Sequence, residues 1–203
     1  MQFSTFFLAA LSMGSAIASP LAGVQTFDNS VPDFANAKNV LEEQHAQISR
    51  LAGEASSAEN TLEIQKCLLT VGQSMNGLFS PALALGNAGS TPLSKDQLSY
   101  VPQFAEIFLS IFVNVEAIAN ITTTRLNKDQ LAKVQPELQL ILSSPVLIAR
   151  PVLAFISVAA SSQTEAFLSV SHPLRNIQAL LKVAVDLNIK LGLEIFVGLG
   201  IFI

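Results

Sequence analysis

Charge is scarce in this chain. Lysine and arginine number 11 and aspartate and glutamate 15 among 203 residues, or 13%, against about 25% in typical soluble domains. The net charge is −4 and no run of basic residues occurs. Nucleic acid is thereby excluded as a partner, because binding to phosphates needs clustered Lys and Arg. The deficit is uneven. Residues 28 to 63 hold seven acids (Asp28, Asp33, Glu42, Glu43, Glu54, Glu59, Glu63) and two bases (Lys38, Arg50), whereas residues 144 to 181 hold only Arg150, Glu165 and Arg175. A globule this poor in charge must expose unusual amounts of neutral or apolar surface, or cover it with a partner, an oligomer included.

Cysteine and histidine are almost missing too. Cys67 is the only cysteine, so no intrachain disulfide forms and the fold must rest on its core. In EIQKCLLTVG it sits among helix-spaced apolar residues, either as a small buried hydrophobe or as the half of an intermolecular disulfide. The two histidines, His45 and His172, with one cysteine, support neither a zinc site nor a Cys/His nucleophile pair. LEEQH spaces Glu42 and His45 as Glu-x-x-His, but a carboxylate-bridged metal site needs two such motifs, so a solvated helix face is expected. His172 precedes Pro173 and reads as a helix-start residue. GQSMNG, residues 72 to 77, is one residue too long for a nucleophile elbow and ends a helix rather than a strand. No catalytic, cofactor-binding or metal-binding residue is assigned, and no cofactor is expected.

Apolar residues dominate what is there: half of the chain is hydrophobic and the mean hydropathy is +0.49. MQFSTFFLAALSMGSAIASP has an apolar run from Phe6 to Leu11, followed by small residues with Ala16 and Ala18 at the −3 and −1 positions. This pattern predicts a secretory signal peptide over residues 1–18, cleaved before Ser19 and too short to span a bilayer. Residues 19–203 are then one helical domain, long enough for a sizeable core.

The pattern along that domain is helical. Phe34, Leu41 and Ile48 repeat every seven residues, with Ala37, Gln44 and Leu51 between them, up to Gly53. Pro32, with Ser30 before it, predicts the start of this helix. Ser56 and Glu59 predict a capping box for the next, which runs through Leu62, Leu68, Leu69 and Met75 to about Phe79. ALALGNAGSTP, residues 82 to 92, reads as a loop from its Gly, Asn and Pro content. Then LSKDQLSYVPQ from Leu93 is echoed by LNKDQLAKVQP from Leu126. Each has a capping residue (Ser94, Asn127) and a glutamine (Gln97, Gln130) placed to close a capping box, with a proline soon after. Each unit reads as a short capped turn, a proline kink and a longer apolar helix.

In the first unit Phe104, Ile107, Phe108, Ile111, Phe112, Val115 and Ile118 share one face, opposite Gln103, Glu106, Ser110 and Asn114. Phe104, Phe108 and Phe112 are core residues or the lining for a lipid-like ligand. In the second, SSPVLIARPVLAFISVAA is apolar nearly all round, and Arg150 with two prolines argues for a buried helix over a membrane span. Residues 181 to 203 alternate like a strand, but a strand of that length would be about 75 Å long. Lys182, Asp186, Lys190 and Glu194 recur every four residues instead, which predicts a helix from Pro173 to about residue 197, packed on the Phe104–Phe112 stripe, with a fraying tail. Four charges argue against a bilayer span. Asn120 opens the sequon NIT, expected in an exposed loop and glycosylated in a secreted chain.

The fold class expected is therefore all-α, a bundle of about five helices with proline kinks. The leader resembles those of filamentous fungi. Amphipathic helices without a disulfide framework, from about Phe27 to Phe196, resemble the fungal hydrophobic-surface-binding and cell-wall galactomannoprotein family. The resemblance implies a secreted or wall-associated protein that adsorbs to hydrophobic surfaces or lipid-like ligands. It carries no motif and assigns no residue. A secreted effector that binds a host protein is the second class of function, and a hydrolase with a cryptic site the third.

Overall fold

A computed structural model of the chain describes residues 22–54, 57–88, 93–161 and 164–191. Six helices carry nearly all of them: α1 (Ala22–Gly53), α2 (Ala58–Gly77), α3 (Phe79–Ala88), α4 (Lys95–Arg125), α5 (Lys128–Ser161) and α6 (Thr164–Lys190). Leu78, between α2 and α3, keeps helical angles (φ −78°, ψ −10°), so the two run on as one rod and the described residues form a bundle of five rods. The stretch expected to be a signal peptide, residues 1–18, and the tail beyond Leu191 lie outside the described residues.

Two antiparallel hairpins, α1 with α2–α3 and α4 with α5, lie side by side in the same direction. α1 packs on α4, and α2–α3 pack on α5. Side-chain pairs fix the parallel register: Phe27 and Phe34 meet Phe104 and Phe108, while Thr61 meets Gln130 and Gln65 meets Glu137. α6 lies over the groove between α4 and α5, on the side away from α1 and α2, and among the described residues α4 and α5 are its only helix neighbours. This makes α4 and α5 the central pair. They are also the two helices long and apolar enough to cross a membrane. Here 56% and 50% of their most apolar windows are buried inside the bundle, so much of that apolarity is used for packing.

The seam of α1 holds as expected, with Phe34, Leu41 and Ile48 fully buried. The start of α1 does not. The helix begins at Ala22 and runs through Pro32, although an interior proline loses a backbone hydrogen bond and clashes with the preceding turn. Phe27 and Phe34, on either side of that proline, are both anchored against Phe104, so burial holds both flanking turns helical. The same outcome recurs at Pro102 in α4, at Pro136, Pro145 and Pro151 in α5, and at Pro173 in α6. Pro173 lies inside its helix instead of starting it, whereas the four prolines of α4 and α5 lie within helical segments as expected.

Capping chemistry is more faithful. Ser94 Oγ accepts from Gln97 N at 3.2 Å while Ser94 N donates to Gln97 Oε1 at 3.0 Å. Asn127 and Gln130 repeat both bonds at 3.0 and 3.1 Å. The echo is thus a pair of true capping boxes that start the two central helices. Ser94→Ala and Asn127→Ala are each expected to cost about 0.5–2 kcal/mol in urea unfolding, and neutral results at both would contradict the reading. The α2 cap falls one residue later than expected, at Ser57, whose hydroxyl accepts from Asn60 N at 2.9 Å; Ser56 lies outside the described residues. Residues 82–88 are helical, not a loop, because Ala82, Leu85 and Ala88 are buried together. Asn114 also departs from its expected polar face: α4 is packed on several sides, and Asn114 is buried with its amide on the Ser110 carbonyl.

Candidate interaction surface

The residues singled out as a ligand lining sit in the bundle interior. Phe104 and Phe108 are fully buried and Phe112 is 2% exposed. Phe104 meets Phe27, Phe34 and Phe155 edge-on, and Phe108 meets Phe34 and Phe112 in the same way. The rings therefore face α1, α5 and one another. α6 meets the stripe near Phe112 and Val115, where the void left beside Leu180 and Leu187 measures about 10 Å³, the size of a single water. An open groove of about 180 Å³ lies between α2 and α5, among Asn76, Pro136, Leu140 and Leu147. It is smaller than the pockets that enclose small molecules, about 300–1,000 Å³.

The chemistry-bearing side chains stay apart. His45 is on α1 and His172 on α6, which are not neighbours. The His172 ring pairs with Asn176 of its own helix at 3.2 Å, and Glu42 pairs with Lys38 at 2.9 Å. Among the described residues no group of three His, Cys, Asp or Glu could hold a metal. Cys67 is buried in α2, and burial pushes its thiol pKa up, with the Glu63 carboxylate adding to the effect. A thiol so placed forms little thiolate, the reactive species. Native protein is expected to react with an aromatic disulfide reagent far more slowly than protein in denaturant, and equal rates would place Cys67 at the surface.

Asn120 is exposed, but on the last turns of α4 and not in a loop. Thr122, the third residue of the sequon, is fully buried, and its hydroxyl donates to the Ile118 carbonyl at 2.7 Å. The run of three threonines is held inside the helix by such back-bonds, with Thr123 on Ala119 and Thr124 on Asn120. Any glycan on Asn120 must therefore be added before α4 forms.

Exposed apolar side chains gather elsewhere. Val158 near the end of α5 is 50% exposed, and Phe167 and Leu168 near the start of α6 are 51% and 65% exposed. Only residues 162 and 163 separate the two helices, so at 1.5 Å per residue Val158 and Phe167 each lie about 6 Å from that connection. The contact of Phe104 with Phe155 sets the register of the antiparallel α4–α5 pair and brings Tyr100 level with Val158. Tyr100 is 39% exposed. Tyr100, Val158, Phe167 and Leu168 thus share one end of the bundle but not one face: Val158 lies on the side of α5 that carries Pro151 toward α3, and Tyr100 on the side of α4 that carries Phe104 toward α1. The remaining exposed large apolars, Leu62, Leu69, Leu83, Val113 and Ile189, lie elsewhere.

Val158, Phe167 and Leu168 belong to the part of the chain poorest in charge, where Arg150, Glu165 and Arg175 are the only charges over residues 144 to 181. The acid-rich helices α1 and α2 lie on the other side of the central pair. Sequence patterning pointed to residues 143–160 as apolar on every side and therefore buried; Val158, with Ala154 and Ser157, faces out instead. Tyr100 and Phe167 carried no periodic signal that set them apart, and the charge deficit foreshadowed Phe167 alone. Comparison with protein-family models, with curated proteins and with solved structures gives no match to this chain.

Proposed function

We propose that this chain is a secreted, non-enzymatic helical protein that adsorbs to hydrophobic surfaces, as members of the wall-associated fungal family it resembles do. The observation that carries the reading is the exposure of Val158, Phe167 and Leu168 within residues 144 to 181, where Arg150, Glu165 and Arg175 are the only charges. Fully burying a large apolar side chain is worth about 1.5–3 kcal/mol, and these are already about half covered, so each adds about 1 kcal/mol on adsorption. Phe167 and Leu168, neighbours on α6, together give about 2 kcal/mol, so the attachment of one molecule is weak and reversible. An external surface suits this arrangement better than an enclosed ligand, since the phenylalanine stripe is filled by its own neighbours.

The test is to express the full chain in a secretory host and load the culture medium on phenyl-coated beads at low and high salt. The expected protein begins at Ser19, is retained, and binds more strongly as salt rises, because excluded salts strengthen apolar burial while screening charge. Protein that stays in the cells, or passes the beads at every salt, would overturn the proposal.

A further inference from the structure

We infer that two copies of this chain pair reversibly and antiparallel, through an exposed, uncharged seam on the α2–α3 rod. Six exposed residues mark the seam: Leu69, Gln73, Asn76, Ser80, Leu83 and Asn87. Their spacings are four, three, four, three and four, the alternation by which one helix packs along another, so all six share one stripe of the continuous rod. Asn76 places that stripe beside α5. Its carboxamide oxygen accepts from Ser144 Oγ at 3.5 Å, and it lines the open groove of about 180 Å³ together with Leu140 and Leu147. Gly72 lies against Leu140 and Gly86 against Pro151, so the rod keeps this flank toward α5 along its length.

The chemistry of the seam selects a second copy. No charged residue occurs between Lys66 and Lys95, and Arg150 is the only charge between Glu137 and Glu165. In a two-fold pair one surface meets itself, so a charge in the seam would lie near its own sign. Leucine, amide and hydroxyl groups escape that repulsion, and each amide or hydroxyl both donates and accepts. Four of the six seam residues are polar, which argues against a bare apolar surface as the occupant. Amides and hydroxyls buried there without partners would cost about 1–3 kcal/mol each. The spacing is also symmetric about Leu78. Turned end for end about that point, Leu69 meets the partner's Asn87, Gln73 the partner's Leu83, and Asn76 the partner's Ser80. The area suffices as well. The seam is about 27 Å long at 1.5 Å per residue, and the rod with α5 is about 20 Å wide, which gives about 550 Å² per copy. The ~1,100 Å² of the pair lies just above the ~1,000 Å² that a specific contact must clear, so the dimer is a reversible one. α6, with Phe167 and Leu168, lies on the far side of α4 and α5 from α2. Pairing therefore leaves those two uncovered, and the inference stands apart from the reading above.

The test is sedimentation velocity over a wide range of concentration, on the secreted wild type and on L83E, Q73K and F167S/L168S. Leu83 and Gln73 are exposed, so their variants should keep wild-type circular dichroism and melting. Wild type is expected to pass from monomer to dimer as concentration rises. L83E should weaken pairing about thirtyfold, since two partly covered leucines leave the interface at once. Q73K, which brings two ammonium groups to the seam, should weaken it too. An equal mixture of L83E and Q73K should pair again, because the antiparallel register sets the new carboxylate of one copy against the new ammonium of the other. F167S/L168S should pair as wild type. A monomer at every concentration would overturn the inference, and retention of that monomer on phenyl beads would leave the adsorption reading standing. A dimer that L83E leaves intact, a mixture that stays monomeric, or a dimer that F167S/L168S splits would each overturn it as well.

Discussion

Phe104→Ala is expected to lower the free energy of unfolding by about 3–5 kcal/mol, a large share of the ~5–15 kcal/mol that holds a typical domain together. Phe104 is fully buried and joins three helices at once, with ring centroids 5.5 Å from Phe27, 5.2 Å from Phe34 and 6.4 Å from Phe155. Its removal leaves a cavity that rigid helices on three sides cannot collapse to fill, and it ends three edge-on ring contacts. Urea unfolding measures the loss directly. The same variant separates two roles of the phenylalanine stripe. A core residue loses stability when truncated, whereas a residue lining a ligand site loses bound lipid and little stability. A midpoint within error of wild type would show that the Phe27–Phe34–Phe104–Phe155 cluster is not the centre of the fold.

The second large effect is expected where two rods come closest. A side chain at Gly86 would place its Cβ 2.6 Å from Cβ and 3.1 Å from Cα of Pro151. The proline ring cannot turn aside and its Cα belongs to the backbone of α5, so Gly86→Val forces α3 away from α5, at about 2–3 kcal/mol. Gly72 gives the contrast. Its added Cβ would meet Leu140 Cδ2 at 2.5 Å, the free end of a flexible side chain beside an open groove. Gly72→Ala lets Leu140 rotate away and gains helix propensity of about 1 kcal/mol, so the net change should be near zero. Thermal melts of the two variants check the pair. Equal losses at both sites would mean that the α3–α5 approach is not set by Pro151.

These two sites also show what could be read from the sequence. Periodicity located the buried seam at Phe34, Leu41 and Ile48, and side-chain chemistry located the boxes at Ser94 and Asn127, because both signals lie within a few residues of one another. Prolines misled for the opposite reason. Pro32 and Pro173, read as helix starts, carry a local penalty, and what outweighs it is burial of residues on either side against distant helices, invisible from the local stretch. The segment at residues 82–92 misled in the same way. Gly86 reads locally as a helix breaker, but its lack of a side chain is what lets α3 lie against Pro151. For the candidate surface, the uneven charge marked the right third of the chain. Which side chains face out there depends on how α6 seats over α4 and α5, and the stretch around Val158 carries the same residues whether it faces out or in.

The central claim is that a folded bundle meets an apolar surface through the exposed apolar side chains near the start of α6. Hydroxyl-radical footprinting of the protein free in solution and adsorbed on phenyl beads tests it side chain by side chain. The account predicts that adsorption protects Phe167 and Leu168, leaves Leu62 and Leu69 as reactive as before, and keeps Phe27, Phe34 and Phe104 unreactive throughout. New oxidation of those three buried phenylalanines on adsorption would mean that the protein opens to bind. Protection of Leu62 and Leu69 with Phe167 and Leu168 unchanged would place the docking face on the opposite side of the bundle.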